Sequence, residues 1–269
     1  MSAAVPSAPA APAAPAAPAA PAAPAYFMSR SDSGVLTVRS HTDGGPATFT
    51  RRLHNDLPRA LFEIGEDRDN RVLVLTCTGD RFMADIDGAG LGDLTKPDQW
   101  DRTVSEGRRV MQRLLDLETP VVAAVHGPAS VHGEYALLAD IVAASDTTVF
   151  SDFPHPTFGI VPGDGIRIAR EEAIGAGRTR HLTLTQGSFT AEQGERWSAV
   201  AEVLPLDQVL PRAQAPAEQL AAEPQSLTRY LAVTLRRRIC RPKAEGTRLG
   251  MAPEGLIAAG PAYRGGEAA

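Results

Sequence analysis

The stretch TPVVAAVHGPASVHGEYALLADIVAAS, residues 119–145, decides the architecture of the chain. Its first part, PVVAAVHGP at 120–128, is a short apolar run that stops at a Gly-Pro pair, as is typical of a buried parallel strand. A helical turn is predicted at 135–139, and IVAAS at 141–145 predicts the next strand. Strand, helix and strand in this order indicate a layered α/β domain.

The same order of elements precedes this stretch. After a strand-like piece at 35–38, the apolar residues Leu53, Leu57, Leu61 and Ile64 recur at helical spacing. RVLVLTCTG at 71–79 predicts another buried strand, and Val104, Met111 and Leu114 mark a second helix. Because the ends of parallel strands meet at one face of such a domain, we expect the functional residues there.

The C-terminal third continues this pattern and then changes to helix. Thr190 and Gln193 have the spacing of a capping box that opens a helix, and AVAEVL at 199–204 predicts a strand. From Leu206 to about residue 259 the chain is predicted to be largely helical. We divide the chain into an Ala/Pro-rich disordered arm at 1–27, a core domain at 28–205 and a helical oligomerisation region at 206–269. The simpler interpretation of this last region is that its helices cover the core of their own chain.

Composition excludes several classes of function. A net charge of -5 without a sustained basic stripe disfavours nucleic-acid binding. There is no apolar run of about 18 residues, so no membrane span is expected. The two cysteines, Cys77 and Cys240, lie far apart, which favours a reducing cytoplasm over a disulfide framework. Lys96 and Lys243, the two lysines, lie in polar stretches unsuited to Schiff-base chemistry.

The stretch FPHPTFGIVPGDG, residues 153–165, holds one imidazole, His155, and one carboxylate, Asp164, among prolines, glycines and apolar residues. A solvated loop would carry more Lys, Glu and Ser, so this segment is expected to line a site. Asp164 alone is compatible with a simple turn, since Asp and Gly favour turns. Its pairing with His155 is what indicates chemistry.

Four segments, in this order, resemble the crotonase (enoyl-CoA hydratase/isomerase) superfamily. They are VLVLTCTGDRFMADID at 72–87, the stretch at 119–145, FGIVPGDG at 158–165 and FTAEQGERWSAVAEVL at 189–204. The resemblance implies an α/β fold with a crotonase-like ββα spiral core and a C-terminal helical layer. It also implies a homotrimer or a dimer of trimers.

At two positions the sequence differs from the hydratases and resembles the β-diketone hydrolases of the superfamily, such as 6-oxocamphor hydrolase. His155 stands where hydratases carry a glutamate, and Asp164 replaces an alanine of the glycine-rich turn. In that group the corresponding His and Asp form a catalytic dyad, and further matches are His132 and Glu254. Phe49 stands near the position of a tryptophan that helps to hold a substrate carbonyl, and it lacks a hydrogen-bond donor.

The resemblance further implies two backbone N–H groups that stabilise an oxyanion. One would come from Ala84 or its neighbour Met83, and the other from the region of Val131 and His132. Histidine suits a water-activating base because its ordinary pKa is about 6.5. We expect Asp164 to hydrogen-bond the far nitrogen of His155 and thereby to fix the tautomer of the ring. His132 is expected either to contact a carbonyl oxygen or to protonate the enolate.

Other residues are assigned simpler roles. We interpret His41, His54, His126 and His181 as structural, and Glu134 either matches the second glutamate of hydratases or simply opens a helix. The sequence shows no metal-ligand spacing, and neither a metal nor a cofactor is implied. The leading hypothesis is a cofactor-independent hydrolase that opens a β-diketone, with a cyclic one favoured, by a retro-Claisen reaction. The alternatives are a CoA-thioester enzyme and a catalytically idle scaffold subunit.

Overall fold

The structure is a computed structural model that describes residues 25–239. The strands are β1 (Tyr26–Arg30), β2 (Val35–Ser40), β3 (Thr48–Phe49), β4 (Val72–Cys77), β5 (Asp85–Ile86), β6 (Val121–Val125), β7 (Ile141–Ser145), β8 (Val149–Phe150), β9 (Phe189–Thr190) and β10 (Glu202–Leu204). The helices are α1 (Arg51–Glu66), α2 (Pro97–Asp116), α3 (Glu134–Leu137), α4 (Pro154–Phe158), α5 (Ile166–Ile174), α6 (Ala176–Thr185), α7 (Ala191–Arg196), α8 (Val209–Ala222) and α9 (225–239).

Six strands form one sheet in the order β1-β2-β4-β6-β7-β10. β1 pairs with β2 in the antiparallel direction, and the other neighbours are parallel. Two short pairs, β3 with β5 and β8 with β9, lie outside this sheet. The predicted α/β class with a parallel-dominated sheet is confirmed.

The two faces of the sheet bury different side chains, since successive residues of a strand point to opposite sides. In β4, Leu73 and Leu75 belong to the larger core beneath α1 and α2. Val72 and Val74 belong to a smaller core on the other face. The predicted strand at 71–79 is therefore buried on both sides, which explains why its sequence is continuously apolar.

Helix α8 covers the second face of the sheet. Its buried residues recur every four positions and pack against the smaller core: Val209, Ala213, Ala217 and Ala221. The first part of the C-terminal helical region thus covers its own core, as the simpler of its two interpretations predicts. The role of 206–269 in oligomerisation remains a prediction.

The folded core begins slightly earlier in the sequence than the predicted boundary between residues 27 and 28. β1 begins at Tyr26 and pairs with β2, so the folded core reaches into the segment assigned to the Ala/Pro-rich arm. Residues 1–24 and 240–269, which include most of that arm, lie outside the described residues. Across 25–239, no helix has the length and apolarity needed to cross a membrane.

Gly127, just after β6, brings two loops together at the carboxyl end of the sheet. Its φ is +55°, and a Cβ atom there would lie 2.0 Å from the carbonyl oxygen of Asp80, so a side chain would not fit. This close approach lets Phe82 N–H donate to Pro128 O at 2.9 Å. Val131 N–H likewise donates to Met83 O at 2.9 Å. The loops after β4 and β6 therefore run side by side.

Helices α1 and α2 are joined by a buried polar contact. His54 on α1 is 3% exposed, and its Nδ1 lies 3.1 Å from Glu106 Oε2 on α2. Arg51 and Arg102 also donate to the Glu106 carboxylate. Burial is the main reason that the pKa of His54 falls to about 4, the nearby His132 adds to the fall, and Glu106 opposes it.

We predict that the burial of His54 makes the protein less stable as the pH falls from about 6.5 to about 4. In that range the unfolded chain binds a proton at His54 that the folded chain excludes, so the free energy of unfolding falls. From the pKa of about 4 and the ordinary 6.5, the loss is about 3 kcal/mol. Urea unfolding at pH 7 and pH 4.5 would measure it. The loss should shrink in His54→Phe and persist in His181→Phe, a change at an exposed histidine; an unchanged loss in His54→Phe would contradict the prediction.

Candidate active site

The main candidate site is a largely apolar cavity of about 730 Å³, including its open mouth. That volume is within the usual range for small-molecule sites. Its walls come from the segments around α1, α2, α4 and α5. The lining residues are Phe49, His54, Ile86, Leu91, Leu94, Trp100, Thr103, Val104, Gly107, His132, Glu134, Asp152, Pro154, His155, Phe158, Ile160, Asp164 and Ile166.

The structure brings four of the sequence-predicted site residues into this wall: Phe49, His132, His155 and Asp164. The backbone positions predicted for the oxyanion, at Ala84, Met83 and Val131, are not among its lining residues. Glu254 lies outside the described residues. Thus four of these positions meet around one cavity, although nothing in their placement alone assigns a role to them.

His155 lies on α4, a short helix within the segment expected to be irregular. Its Nδ1 atom is 2.6 Å from Asp152 Oδ1. Its Nε2 atom is 3.7 Å from Asp164 Oδ2, which is longer than a hydrogen bond. The prediction that Asp164 hydrogen-bonds His155 is therefore wrong in this structure. Asp152, three residues before His155 and close to it at the start of α4, occupies that role.

Asp152 is a site residue that the sequence reasoning missed. Burial opposes its ionisation, but the charge and hydrogen bond of His155 and the charge of Arg170 outweigh burial, so the pKa of Asp152 is lowered. An ionised Asp152 accepts a hydrogen bond, which places a proton on Nδ1 of His155. The available signal was the spacing of Asp and His in DFPH, which a short helix brings together.

His132 also lies close to Asp164. Its φ is +51°, an unusual conformation for a residue with a side chain. Its Nδ1 lies 2.6 Å from Glu134 Oε1 and 3.5 Å from Asp164 Oδ2. Burial disfavours the imidazolium, but Glu134 and Asp164 together outweigh burial and raise the pKa of His132. The ring is thereby biased toward the protonated form, which donates from both nitrogens.

Glu134, the first residue of α3, is 1% exposed. It therefore opens a helix, as one of its two interpretations proposed, and also contacts His132. Burial raises the pKa of Glu134, and its Oε2 atom has no hydrogen-bond partner within residues 25–239. The short contact with His132 thus involves one buried carboxyl oxygen and leaves the other unpaired.

Two aromatic rings hold His132 in place. The Phe49 ring centroid lies 4.1 Å from that of His132, and the Tyr135 ring stacks on its imidazole at 5.0 Å with an interplanar angle of 3°. Phe49 reaches this position because β3 pairs with β5, with Phe49 opposite Ile86. Phe49 therefore packs against a catalytic candidate instead of donating to a substrate.

The backbone donors need a correction. Val131 N–H donates to Met83 O, so this group is already engaged. Met83 N–H is directed at the Cys77 thiol, whose pKa is raised to about 12 chiefly by burial and in spite of that hydrogen bond. Ala84 and His132 each lie one residue beyond the bonded pair, and their N–H groups donate to no backbone acceptor within residues 25–239. They remain the candidate donors at these two loops.

Three side chains have a spacing that could hold a metal ion. One ligand atom from each of His132, Glu134 and Asp164 lies within 4.8 Å of the others. A metal ion needs a free lone pair on the ligating nitrogen. His132 Nδ1 is engaged with Glu134 at 2.6 Å, so metal binding through this atom would have to break that contact. The arrangement fits proton chemistry better than metal ligation.

Arg170 on α5 supplies a buried positive charge behind His155. It is 2% exposed, and its Nε and Nη2 atoms have no hydrogen-bond partner within residues 25–239. It lines a second cavity of about 390 Å³ that shares Asp152, His155 and Ile160 with the main one. Burial lowers the pKa of Arg170, while Asp152, Glu134 and Asp164 oppose that effect. Its charge therefore partly balances the three carboxylates.

Comparisons with known proteins agree with this fold. A family model described as enoyl-CoA hydratase/isomerase matches residues 31–251. A probable enoyl-CoA hydratase from Mycobacterium leprae is 30% identical over 196 residues, or 72% of this chain and 75% of that protein. An enoyl-CoA hydratase/isomerase structure from Mycobacterium paratuberculosis is 23% identical, covers 89% of this chain and 96% of that one, and shares the fold with a TM-score of 0.82.

A further similar structure is a β-diketone hydrolase from the cyanobacterium Anabaena sp. PCC 7120, bound to (S)-3-oxocyclohexyl acetic acid. It is 45% identical to this chain. The match covers 87% of this chain and 94% of the hydrolase chain, with a TM-score of 0.85. The family model spans most of the sequence, and the arrangement of sheet and helices agrees with these relatives. The chain therefore belongs to the enoyl-CoA hydratase/isomerase, or crotonase, superfamily.

Proposed function

We propose that this protein hydrolyses a carbon-carbon bond of a cyclic β-diketone. The observation that carries the proposal is the group of His155, Asp164 and His132 in the wall of an otherwise apolar cavity. One imidazole with a carboxylate at Nδ1 is suited to act as a base. A second imidazole with a raised pKa is suited to donate to a carbonyl oxygen. The 45% identity to a β-diketone hydrolase supports the same chemistry.

The reaction begins with activation of water. His155, oriented by Asp152, takes a proton from water at Nε2, and the water oxygen forms a bond to one carbonyl carbon of the substrate. Asp164 lies 3.7 Å from the same nitrogen and is placed to hold that water as an acceptor. The resulting tetrahedral intermediate carries its negative charge on the former carbonyl oxygen, and the N–H groups of Ala84 and His132 are the donors proposed to stabilise it.

The carbon-carbon bond then breaks. Its electron pair moves to the carbon between the two carbonyl groups, and the second carbonyl becomes an enolate. The His132 side chain donates to that enolate oxygen, and the proton that His155 took from water is returned to the carbon, which completes a ketone and regenerates the base. The products are one ketone and one carboxylic acid, which remain a single molecule when the substrate is a ring.

The ligand of the related hydrolase indicates the substrate class. A 3-oxocyclohexyl acetic acid holds a ketone and a carboxyl group in one molecule. Joining its carboxyl carbon to a carbon next to the ketone, with loss of water, gives a bicyclic 1,3-diketone. The apolar walls of the cavity suit a compact, uncharged ring system of this kind.

A second candidate function is chemistry on a CoA thioester. It is favoured by the family model and by the relatives named as probable enoyl-CoA hydratases. Glu134 also stands where hydratases often carry one of their two glutamates. The other position holds His155, which is why we place this function second.

We predict that His155→Ala lowers kcat for a bicyclic 1,3-diketone by on the order of 10²- to 10⁴-fold, because the water loses its base. Acid release, followed with a pH indicator in dilute buffer, measures the reaction. His181→Ala, at an exposed histidine, is the control and should keep wild-type activity. Full activity in folded His155→Ala would rule out the proposed role.

We predict that Asp152→Asn lowers kcat on the order of 10²-fold or more with little change in KM, because an amide no longer holds the proton on Nδ1 of His155. Asp164→Asn removes a neighbouring carboxylate of similar exposure and serves as the matched comparison. If Asp152→Asn behaved as wild type while Asp164→Asn lost activity, the orienting role would belong to Asp164, as the sequence predicts.

We predict that 3-oxocyclohexyl acetic acid raises the melting temperature and that CoA does not. A ligand at 100 times its Kd adds about 2.7 kcal/mol to the free energy of unfolding, which a thermal shift assay detects. The two compounds are tested in the same buffer on the full chain. A rise with CoA and none with the keto acid would transfer support to the second candidate.

A further inference from the structure

His54 is a polar group in the cavity wall that the proposed chemistry does not use. It lies on α1 with its ring 5.1 Å, centroid to centroid, from Phe49, at an interplanar angle of 68°. Phe49 in turn contacts His132. The cavity therefore contains a third imidazole, besides those of His132 and His155, and one aromatic ring links it to His132.

Glu106 determines which nitrogen of His54 carries the proton. Its carboxylate accepts from Arg102 Nε at 2.8 Å and from Arg51 Nη1 at 3.2 Å. Burial opposes ionisation of Glu106, but these contacts and the contact with His54 lower its pKa. An ionised carboxylate can only accept a hydrogen bond, so His54 Nδ1, 3.1 Å away, must be the donor.

Fixing the proton on Nδ1 makes Nε2 a hydrogen-bond acceptor. Burial keeps the imidazole neutral, since the pKa of His54 is about 4, and a neutral ring with a proton on Nδ1 has a lone pair on Nε2. Within residues 25–239, Glu106 is the one hydrogen-bond partner of the His54 side chain. Nδ1 is engaged with Glu106, so Nε2 is the ring nitrogen that remains to bind a ligand in the cavity that His54 lines.

We propose that His54 determines substrate specificity by accepting a hydrogen bond at Nε2 from an alcohol hydroxyl of the substrate. This inference rests on the proposed function and narrows its substrate class to hydroxylated cyclic β-diketones. His132 offers a donor for a carbonyl oxygen, and His54 offers an acceptor for a hydroxyl. A substrate without the hydroxyl displaces water from Nε2 and leaves the lone pair without a partner, which weakens binding.

An enol of the diketone is a poorer match than an alcohol. The attack by water requires the keto form, because the carbonyl carbon is the electrophile. Enols of 1,3-diketones are also acidic, and their anions have no O–H group to donate. The hydroxyl that His54 accepts from is therefore a substituent of the ring system and does not take part in the reaction.

The test compares a parent substrate, 2,2-dimethylcyclohexane-1,3-dione, with its ring-hydroxylated derivatives. None of these compounds can enolise between its two carbonyl groups. One added hydrogen bond should make kcat/KM of the preferred derivative roughly 2- to 12-fold higher than that of the parent in the wild type. The ratio should fall to about one in His54→Phe, which keeps a ring of similar shape. It should persist in His126→Phe, a change at a buried histidine that does not line the cavity. A ratio unaffected by His54→Phe would overturn the proposal.

A spectroscopic measurement tests the acceptor without relying on turnover. Long-range proton-nitrogen correlation spectra of the wild type labelled with 15N-histidine should show His54 as the neutral tautomer with its proton on Nδ1 at pH 7. A proton on Nε2, or a protonated ring, would overturn the proposal even if His54→Phe failed to fold.

The two proposals can fail separately. If the wild type hydrolyses neither dione but shows the expected tautomer, and calorimetry shows tighter binding of the hydroxylated probe than of its parent, the proposed function is wrong and the role of His54 stands. If both diones are hydrolysed at equal rates by the wild type, the proposed function stands and the role of His54 is wrong.

Discussion

The close approach of Gly127 to the carbonyl of Asp80 is the constraint on which the site depends. A Cβ atom at residue 127 would overlap the Asp80 oxygen, so the loops after β4 and β6 can lie together only because this residue is glycine. Their contact is then secured by the hydrogen bond from Val131 to Met83. That bond fixes the backbone just before His132, which adopts a left-handed conformation and directs its ring against Phe49.

The site concentrates charge in a region with little access to water. Three carboxylates, on Glu134, Asp152 and Asp164, lie near two imidazoles and the guanidinium of Arg170. Charges removed from water are costly unless they are paired. The pairing here is asymmetric, because the pKa of Asp152 is lowered beside His155 while burial raises the pKa of Glu134. The two carboxyl groups therefore have different proton affinities, and such a difference between neighbouring titratable groups suits acid-base chemistry.

The regular elements could be predicted from sequence because their signals are local. The spacing of Leu53, Leu57 and Leu61 gives α1, and the apolar run at 72–77 gives β4, without knowledge of their partners. The family resemblance predicts that His132, His155 and Asp164 belong to one site, and all three line the same cavity. Their individual roles stay predictions until the variants are measured.

What the sequence could not supply depends on contacts between distant segments. The acceptor for His155 was assigned to Asp164, and only the turn of α4 shows that Asp152 is closer. Val131 was a candidate donor until its N–H was found bonded to Met83, about fifty residues away. His54 is interpreted as structural from the sequence, because a histidine without further support is more often a structural residue than a catalyst. Its place in the cavity wall depends on how α1 packs on α2.

The order of the strands also bears on how the chain avoids association while it folds. The central pairings are parallel and join segments far apart in sequence, a topology that folds slowly and leaves strand edges exposed for longer. β10, the outer strand beside β7, is three residues long and is followed directly by Pro205, which has no N–H group. Such an edge offers few backbone groups to a strand of another molecule. The short final strand thus limits intermolecular pairing at this edge of the sheet.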